Sequence, residues 1–319
     1  MLKSPLLRRI LPAPKRRRRV DACLLCNELD LLTLRFEELW DEIDHFVVVE
    51  ADTTFSGRPK PLFFREHQTR FRPYADKVVY RAVTDLPPLH QDSEKERFAR
   101  EAAHRDAIGA AVESLPLSSR DIVIVSDVDE IPRARALANI ETALSSYDYA
   151  IFMLRNYRGY INNISDSALN GATAAGPVAC RVRTLRRVGA QQVRRGQQKS
   201  GGMIAERAPK YTYIDDGGWH LSSLGGPDAF WLKAASFSHV DDPHRVIRLA
   251  EKIPQQQVFS ADLDRAQCRD RQTRYLAHCA NPSFSQLDFD AFEFDQDVPS
   301  FLRRNKERFR GFFFFTDLV

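Results

Sequence analysis

Short runs of β-branched and aliphatic residues alternate, through the first half of this chain, with longer segments of helical period. That alternation limits the fold more than any other feature. Val20–Cys26, His45–Glu50 (HFVVVE), Lys77–Val83, Asp121–Val125 (DIVIV) and Tyr149–Leu154 read as strands. Their apolar residues are continuous rather than alternating, as in strands covered on both faces. Between them, Leu29–Glu42 sets Leu32, Phe36 and Leu39 at helical spacing, with Ile43 just beyond. Glu94–Leu115 does the same with Phe98, Ala102, Ile108, Val112 and Leu115, and Arg133–Ser145 reads as a third helix. The pattern predicts an α/β fold with a mostly parallel central sheet and helices on both faces. Beyond residue 155 the pattern weakens. Asn156–Gly176 reads as a long loop, Ala179–Val188 as an antiparallel strand, and Asp228–Ser238 and Arg245–Lys252 as helices. No linker divides the chain, so one domain is expected over residues 20–319.

The net charge of +4 is unevenly spread. Residues 1–19 hold eight Lys and Arg and no acid, so the remainder carries −4. With Pro5, Pro12 and Pro14 interrupting it, this segment reads as a disordered basic arm. Two readings stand for it: a contact with an anionic membrane surface, worth up to ~1 kcal/mol per basic residue, or a solubilising tail with no partner. The body has no basic face interleaved with aromatics, which argues against nucleic acid as a partner. No apolar run approaches the ~20 residues of a membrane span, and no signal-peptide core follows the basic start. Five cysteines form no disulfide framework, and their odd number leaves a free thiol. The expected location is cytoplasmic, peripheral to a membrane where the arm touches one. Cys23-x-x-Cys26 lies inside a buried strand pattern and reads as core.

The most informative stretch is Asp121–Pro132, DIVIVSDVDEIP. A buried strand runs straight into three carboxylates within four positions, where open α/β sheets bind ligands. Asp127 and Asp129 share parity, so in an extended chain they project to one side. Such a pair suits Mn²⁺ or Mg²⁺, which in turn holds a diphosphate. The plainer alternative is a solvated turn in which Asp129 caps a helix that Pro132 helps start.

Four blocks in order resemble glycosyltransferase family 17. They are Asn27–Leu32 running into Arg35 and Glu38-Leu39; Val48–Asp52 with Thr54–Gly57 and Lys60; Asp127–Pro132; and Gly218–Ser222. The resemblance implies a GT-A type fold, a UDP-GlcNAc donor, a glycan acceptor and inversion at the anomeric carbon. It makes the strand-end residues Asn27, Glu28, Glu50 and Asp52 donor-site candidates, with Ser56 and Lys60 on the following loop and Asp127 at the diphosphate. Asn27 as a helix cap, and Ser56–Lys60 as an ordinary Gly-Pro turn, are the competing readings. Arg195, with Arg194 and Lys199, is a candidate to fold over the diphosphate or to be plain solvated surface. His220 is the expected third metal ligand beside Asp127 and Asp129, with His239 second. Inverting transfer needs a general base. Asp228 is the first choice, Asp216 and Asp215 the next, and a helix-start acid is Asp228's plainer role. Two other classes stay open: a metal-dependent phosphohydrolase, and a non-catalytic carbohydrate-binding protein on the same fold.

Overall fold

The computed structural model describes residues 16–165, 173–195, 209–236, 238, 265–278, 284–286, 298–305, 309 and 312. Among them the strands are β1 (Arg19–Leu25), β2 (His45–Ala51), β3 (Val78–Val83), β4 (Ile122–Asp127), β5 (Glu130–Pro132), β6 (Tyr149–Arg158), β7 (Tyr160–Ser165), β8 (Ala174–Arg181), β9 (Tyr211–Ser222) and β10 (Phe284–Gln286). The α-helices are α1 (Leu29–Leu39), α2 (Phe63–Glu66), α3 (Glu94–Glu113), α4 (Ile140–Ser146), α5 (Val182–Val188), α6 (Ala190–Arg195), α7 (Pro227–Ser236), α8 (Arg265–His278) and α9 (Ser300–Arg304).

The strands form one sheet in the order β10-β7-β6-β8-β4-β1-β2-β3, with β9 beside β6 and β5 beside β9. From the pairings, β1, β2, β3, β4, β6, β9 and β10 run one way, and β5, β7 and β8 run the other. The expected α/β fold is present, with more antiparallel pairing than the sequence suggested. Register decides what meets at the rim. β1 lies between β2 and β4, pairing Leu25 with Glu50 and Leu24 with Asp127. The carboxyl ends of three parallel strands thus converge where α/β sheets bind ligands.

The continuous apolar strands are covered on both faces. Cys23 and Leu25 of β1 join Val48, Ile124 and the α1 residues Leu32, Phe36 and Leu39 in one cluster. Val20, Ala22 and Leu24 join Val47, Val49, Val123 and the α3 residues Ile108 and Val112 in another. A third cluster packs Leu31 and Leu34 of α1 against Trp219 and Leu221 of β9 and Leu302 of α9. α3 begins with a capping box. Its Ser93 side chain accepts the Glu96 amide, and the Glu96 carboxylate accepts the Ser93 amide at 3.0 Å.

Three expectations change. The segment read as a loop from residue 156 holds the end of β6, all of β7 and the start of β8. Its polar residues face inward: Asn163 is buried and donates to the Arg158 carbonyl at 2.7 Å and the Tyr275 hydroxyl at 2.9 Å. The β6–β7 hairpin turns at Gly159 (φ 73°), where the Tyr275 ring fills the space a Cβ would take. The strand expected over Ala179–Val188 ends at Arg181, and α5 follows. Finally, the basic arm does not reach residue 19. Arg19 opens β1, buried, paired with Glu42, while Arg16 pairs with Asp44 and Arg17 with Glu141. Three acids of the body order these arginines. Residues 1–15, His239, Lys199 and Arg245–Lys252 lie outside the described residues.

Candidate active site

The acidic turn is held from below by one arginine. Arg35 of α1 is fully buried and makes a bidentate pair with Asp21 of β1, both bonds 2.6 Å. Its remaining N–H groups donate to the Asp127 carbonyl (3.1 Å), the Glu130 carbonyl (2.7 Å) and Ser126 Oγ (2.6 Å). The chain leaving β4 is thereby bent into β5, with the Asp127 amide donating to Glu130 Oε2 at 3.3 Å. This differs from the helix-capping turn considered above. β5 pairs with β9, setting Glu130 opposite His220, and β9 pairs with β6, setting Asn156 opposite His220.

Four cationic or ionisable groups face the three carboxylates. Lys233 of α7 donates to Asp129 Oδ2, and His220 Nε2 lies 3.5 Å from the same oxygen. His220 Nδ1 is 3.1 Å from Asn156 Oδ1, which fixes the ring. Arg105 of α3 donates to Asp127 Oδ1 at 3.0 Å and to Glu101 at 2.9 Å. Arg194 of α6 donates to Glu130 Oε1 and lies 3.8 Å from Asp127 Oδ2. Burial opposes the charge on Asp129, but Lys233 and His220 outweigh it and hold the carboxyl well below the usual range. Asp127 is lowered against burial by Arg105 and Arg194. His220 and Lys233 are both raised, because Asp129 outweighs their burial.

Beside this cluster lies a cavity of ≈ 60 Å³ at the ends of β1 and β2. Asn27, Glu28 and Lys60 line it with Thr54, His104 and Lys233. Glu28 accepts the amides of Cys26 (3.1 Å) and Asn27 (2.9 Å), shaping the turn out of β1. Asp52 and Ser56 instead line an open depression of ≈ 500 Å³ with Gly57 and Arg100. Ser56 donates to the Ala235 carbonyl of α7 at 2.6 Å, fastening the loop to that helix. Glu50 is buried among internal partners. It accepts from Lys60 (3.1 Å), the amides of Phe63 (2.6 Å) and Phe64 (3.1 Å), and the Tyr80 hydroxyl (3.0 Å). Burial raises its pKa and Lys60 works against that. Four bonds fill both carboxylate oxygens, so Glu50 positions Lys60 and the start of α2 rather than facing the cavity.

Other expected members are not brought in. Arg195 is exposed; its neighbour Arg194, ~100° round the helix, reaches the acids instead. Asp228, in the first turn of α7, pairs with Arg274 at 2.8 Å. Asp216 has φ 47° and pairs with Arg133 at 2.8 Å and with Arg135. Neither lines the cavity.

The expected metal set is chemically apt, since two carboxylates and an imidazole suit Mn²⁺ or Mg²⁺. Its arrangement does not fit one. The Asp129 carboxylate is taken by the Lys233 ammonium, and Asp127 by Arg105. Among the described residues no three His, Cys, Asp or Glu side chains form a metal-binding group. Lys233, Arg105 and Arg194 match the charge of Asp127, Asp129 and Glu130. The sequence reading missed Lys233 and Arg105, which sit on helices that read only as amphipathic. Arg105, six residues beyond Ala99 in a charged stretch, looks like any solvated helix position.

The sequence profile of glycosyltransferase family 17 matches residues 9–163. The matched segment includes β1, α1, the cavity residues Asn27, Glu28, Lys60 and His104, and the acidic turn. Arg194, His220 and Lys233 lie beyond it. Over 256 residues the chain is 27% identical to the beta-1,4-mannosyl-glycoprotein 4-beta-N-acetylglucosaminyltransferases of Rattus norvegicus and Homo sapiens. These alignments cover 75% of this chain and 46% of each relative, so the chain spans about half the length of the curated relatives it matches. Among solved structures, glucosyl-3-phosphoglycerate synthase from Mycobacterium tuberculosis, in complex with Mn²⁺, UDP and phosphoglyceric acid, is similar at 14% identity and a TM-score of 0.35. The match covers 75% of this chain and 80% of that one, an overlap too loose to support any argument about the site.

Proposed function

We propose that this chain is an inverting glycosyltransferase that moves a sugar, GlcNAc, from UDP-GlcNAc to a glycan hydroxyl. The observation that carries the reading is Lys233. One ammonium both lines the cavity at the ends of β1 and β2 and bonds Asp129 of the acidic turn, so cavity and turn form one site. The site lies at the carboxyl ends of parallel strands within or beside the family 17 segment. The names of the curated relatives support the GlcNAc donor.

In the proposed reaction an acceptor hydroxyl oxygen bonds to the anomeric carbon as the bond from that carbon to the β-phosphate oxygen breaks. The hydroxyl proton passes to a base and UDP leaves. Lys233, itself mostly buried, would meet the negative charge growing on the leaving diphosphate as a fixed cation. Arg105 and Arg194 hold Asp127 and Glu130 in place beside it. Arg35 fixes the backbone of the same turn. No step is assigned to a metal, because this chain's own cations occupy the carboxylates.

The test is UDP release from UDP-GlcNAc by the purified chain, with and without a mannose-rich glycan acceptor, run once with Mn²⁺ and once with chelator. Acceptor-dependent UDP release that falls ~10²–10³-fold in Lys233→Ala is the expected result. Inorganic phosphate released from phosphomonoesters, with no sugar transfer, would establish the hydrolase instead. Glycan binding without turnover in either condition would establish a binding protein.

A further inference from the structure

His104 of α3 is the buried group that the site so far leaves unused. It is 4% exposed, and neither ring nitrogen meets a partner at full hydrogen-bond geometry. A neutral imidazole carries one N–H and one bare acceptor nitrogen. The Val49 backbone interacts with the ring as a hydrogen-bond acceptor, which favours the protonated form. A carbonyl only accepts, so whatever it offers goes to the N–H. The acceptor nitrogen still lacks a donor. Burial, reinforced by Lys60 and Arg105, pushes the pKa down to about 3, so the ring keeps that bare nitrogen throughout the neutral range. Buried polar atoms are almost always paired, and one left over at a cavity points to a ligand or a water.

The cavity is the one already described. His104 lines it with Asn27, Lys60 and Lys233, and the edge of the Phe55 ring meets the imidazole at 5.8 Å between centroids. At one side of this space an aromatic ring and a bare imidazole nitrogen lie together, with Lys60 close by. Lys233 ties the same space to the acidic turn. A nucleotide has matching ends, a flat heterocycle and a diphosphate.

We infer that His104 reads the nucleobase of the donor, its acceptor nitrogen taking the ring N–H of uracil and so selecting UDP over CDP. Cytosine presents a bare ring nitrogen at the same position, and two acceptors facing each other repel. The inference rests on the UDP-sugar reading above and deepens it. His104 is here a specificity residue that touches the donor base; it takes no part in bond breaking.

The experiment measures dissociation constants of the full chain for UDP, CDP and N3-methyl-UDP by calorimetry. The wild type is expected to bind UDP about tenfold or more tightly than either of the other two, the effect of one hydrogen bond in a buried site. His104→Phe keeps the ring's bulk without its nitrogens. It should bind UDP about tenfold more weakly and bring UDP and CDP within about twofold of each other. His104→Gln, which restores an acceptor, should recover part of the preference. Thermal melting of each variant checks that it folds. If His104→Phe fails to fold, the wild-type comparison of UDP with N3-methyl-UDP still decides the matter. Equal affinity for those two, or an unchanged UDP preference in folded His104→Phe, would overturn the inference and leave a bound water as the partner of His104. That result would not touch the transferase reading. Absence of binding to all three nucleotides would overturn both.

Discussion

At the scale of single residues, Arg35 and His104 show opposite ways of burying a polar group. Arg35 and Asp21 have fully buried side chains, and every bond the guanidinium makes beyond Asp21 goes to the acidic turn. Removing one partner of a buried pair leaves the other charged and uncompensated, at a cost of ~3–5 kcal/mol. Arg35→Met should therefore lose about that much in urea unfolding, and more than Arg35→Met combined with Asp21→Asn. His104 is buried without a charge partner. Its folded pKa is lowered to about 3, below the ~6.5 of an unfolded histidine. The unfolded chain then binds a proton that the folded chain refuses, so stability falls as pH drops from ~6.5 towards about 3. Asp129 works in a lower window. Its folded pKa is depressed, so its contribution is present above the unfolded value of ~3.9 and is lost as pH falls through the depressed one. Between pH 6.5 and 4 the stability of wild type relative to His104→Phe should thus decline with a slope approaching ~1.4 kcal/mol per pH unit. Denaturant titrations at four or five pH values would show it, and parallel curves would contradict it.

At the scale of elements, the site depends on a short strand pair. β5 has three residues, and its pairing with β9 sets His220 opposite Glu130. Gly218 makes that pairing close enough. Its φ is 152°, and a Cβ there would run into the Ile131 carbonyl and the Pro132 Cα, both backbone. Neither can yield without breaking the pair. Gly218→Ala is expected to destabilise the protein by ~1–3 kcal/mol, a combination of backbone strain and overpacking. It should also move the His220 ring away from Asp129, visible as a histidine NMR titration shifted towards the ordinary value. α3 provides the contrast. It is fixed by local chemistry, and Ser93→Ala should cost ~1 kcal/mol with no effect at the site.

At the scale of the whole molecule, the two ends of the described chain close on each other. Leu302 of α9 and Phe309 are buried with Leu31 and Leu34 of α1, and Ser300 Oγ donates to Glu38 at 2.9 Å. α1 carries Arg35, so late residues brace the helix that shapes the acidic turn. Leu302→Ala should cost ~2–5 kcal/mol by leaving a cavity against α1. A thermal melt would register it as a loss of several degrees. No helix among the described residues is long and apolar enough to cross a membrane.

The sequence by itself determined β1 to β4, β6, α1 and α3, and the place of the acidic turn. Continuous β-branched runs and helical period are local signals, and Asp127 and Asp129 follow directly on an apolar strand. It also placed Asn27 and Glu28 at a strand end and Lys60 on the loop after the next strand, and the cavity does gather those three. Only the tertiary structure decided which charges answer the acids. Lys233, Arg105, Arg194 and Arg35 come from four helices, and on a helix a one-residue step turns a side chain ~100°. That is why Arg194 reaches the cluster while Arg195 stays exposed, and why Asp228 meets Arg274 instead of the cavity. The buried polar hairpin of β6 and β7 was equally hidden, because a polar residue reads as solvent-facing until its interior partner is known. Local sequence specifies conformation; the pairing of charges is a property of distant residues, fixed only when the sheet sets its register.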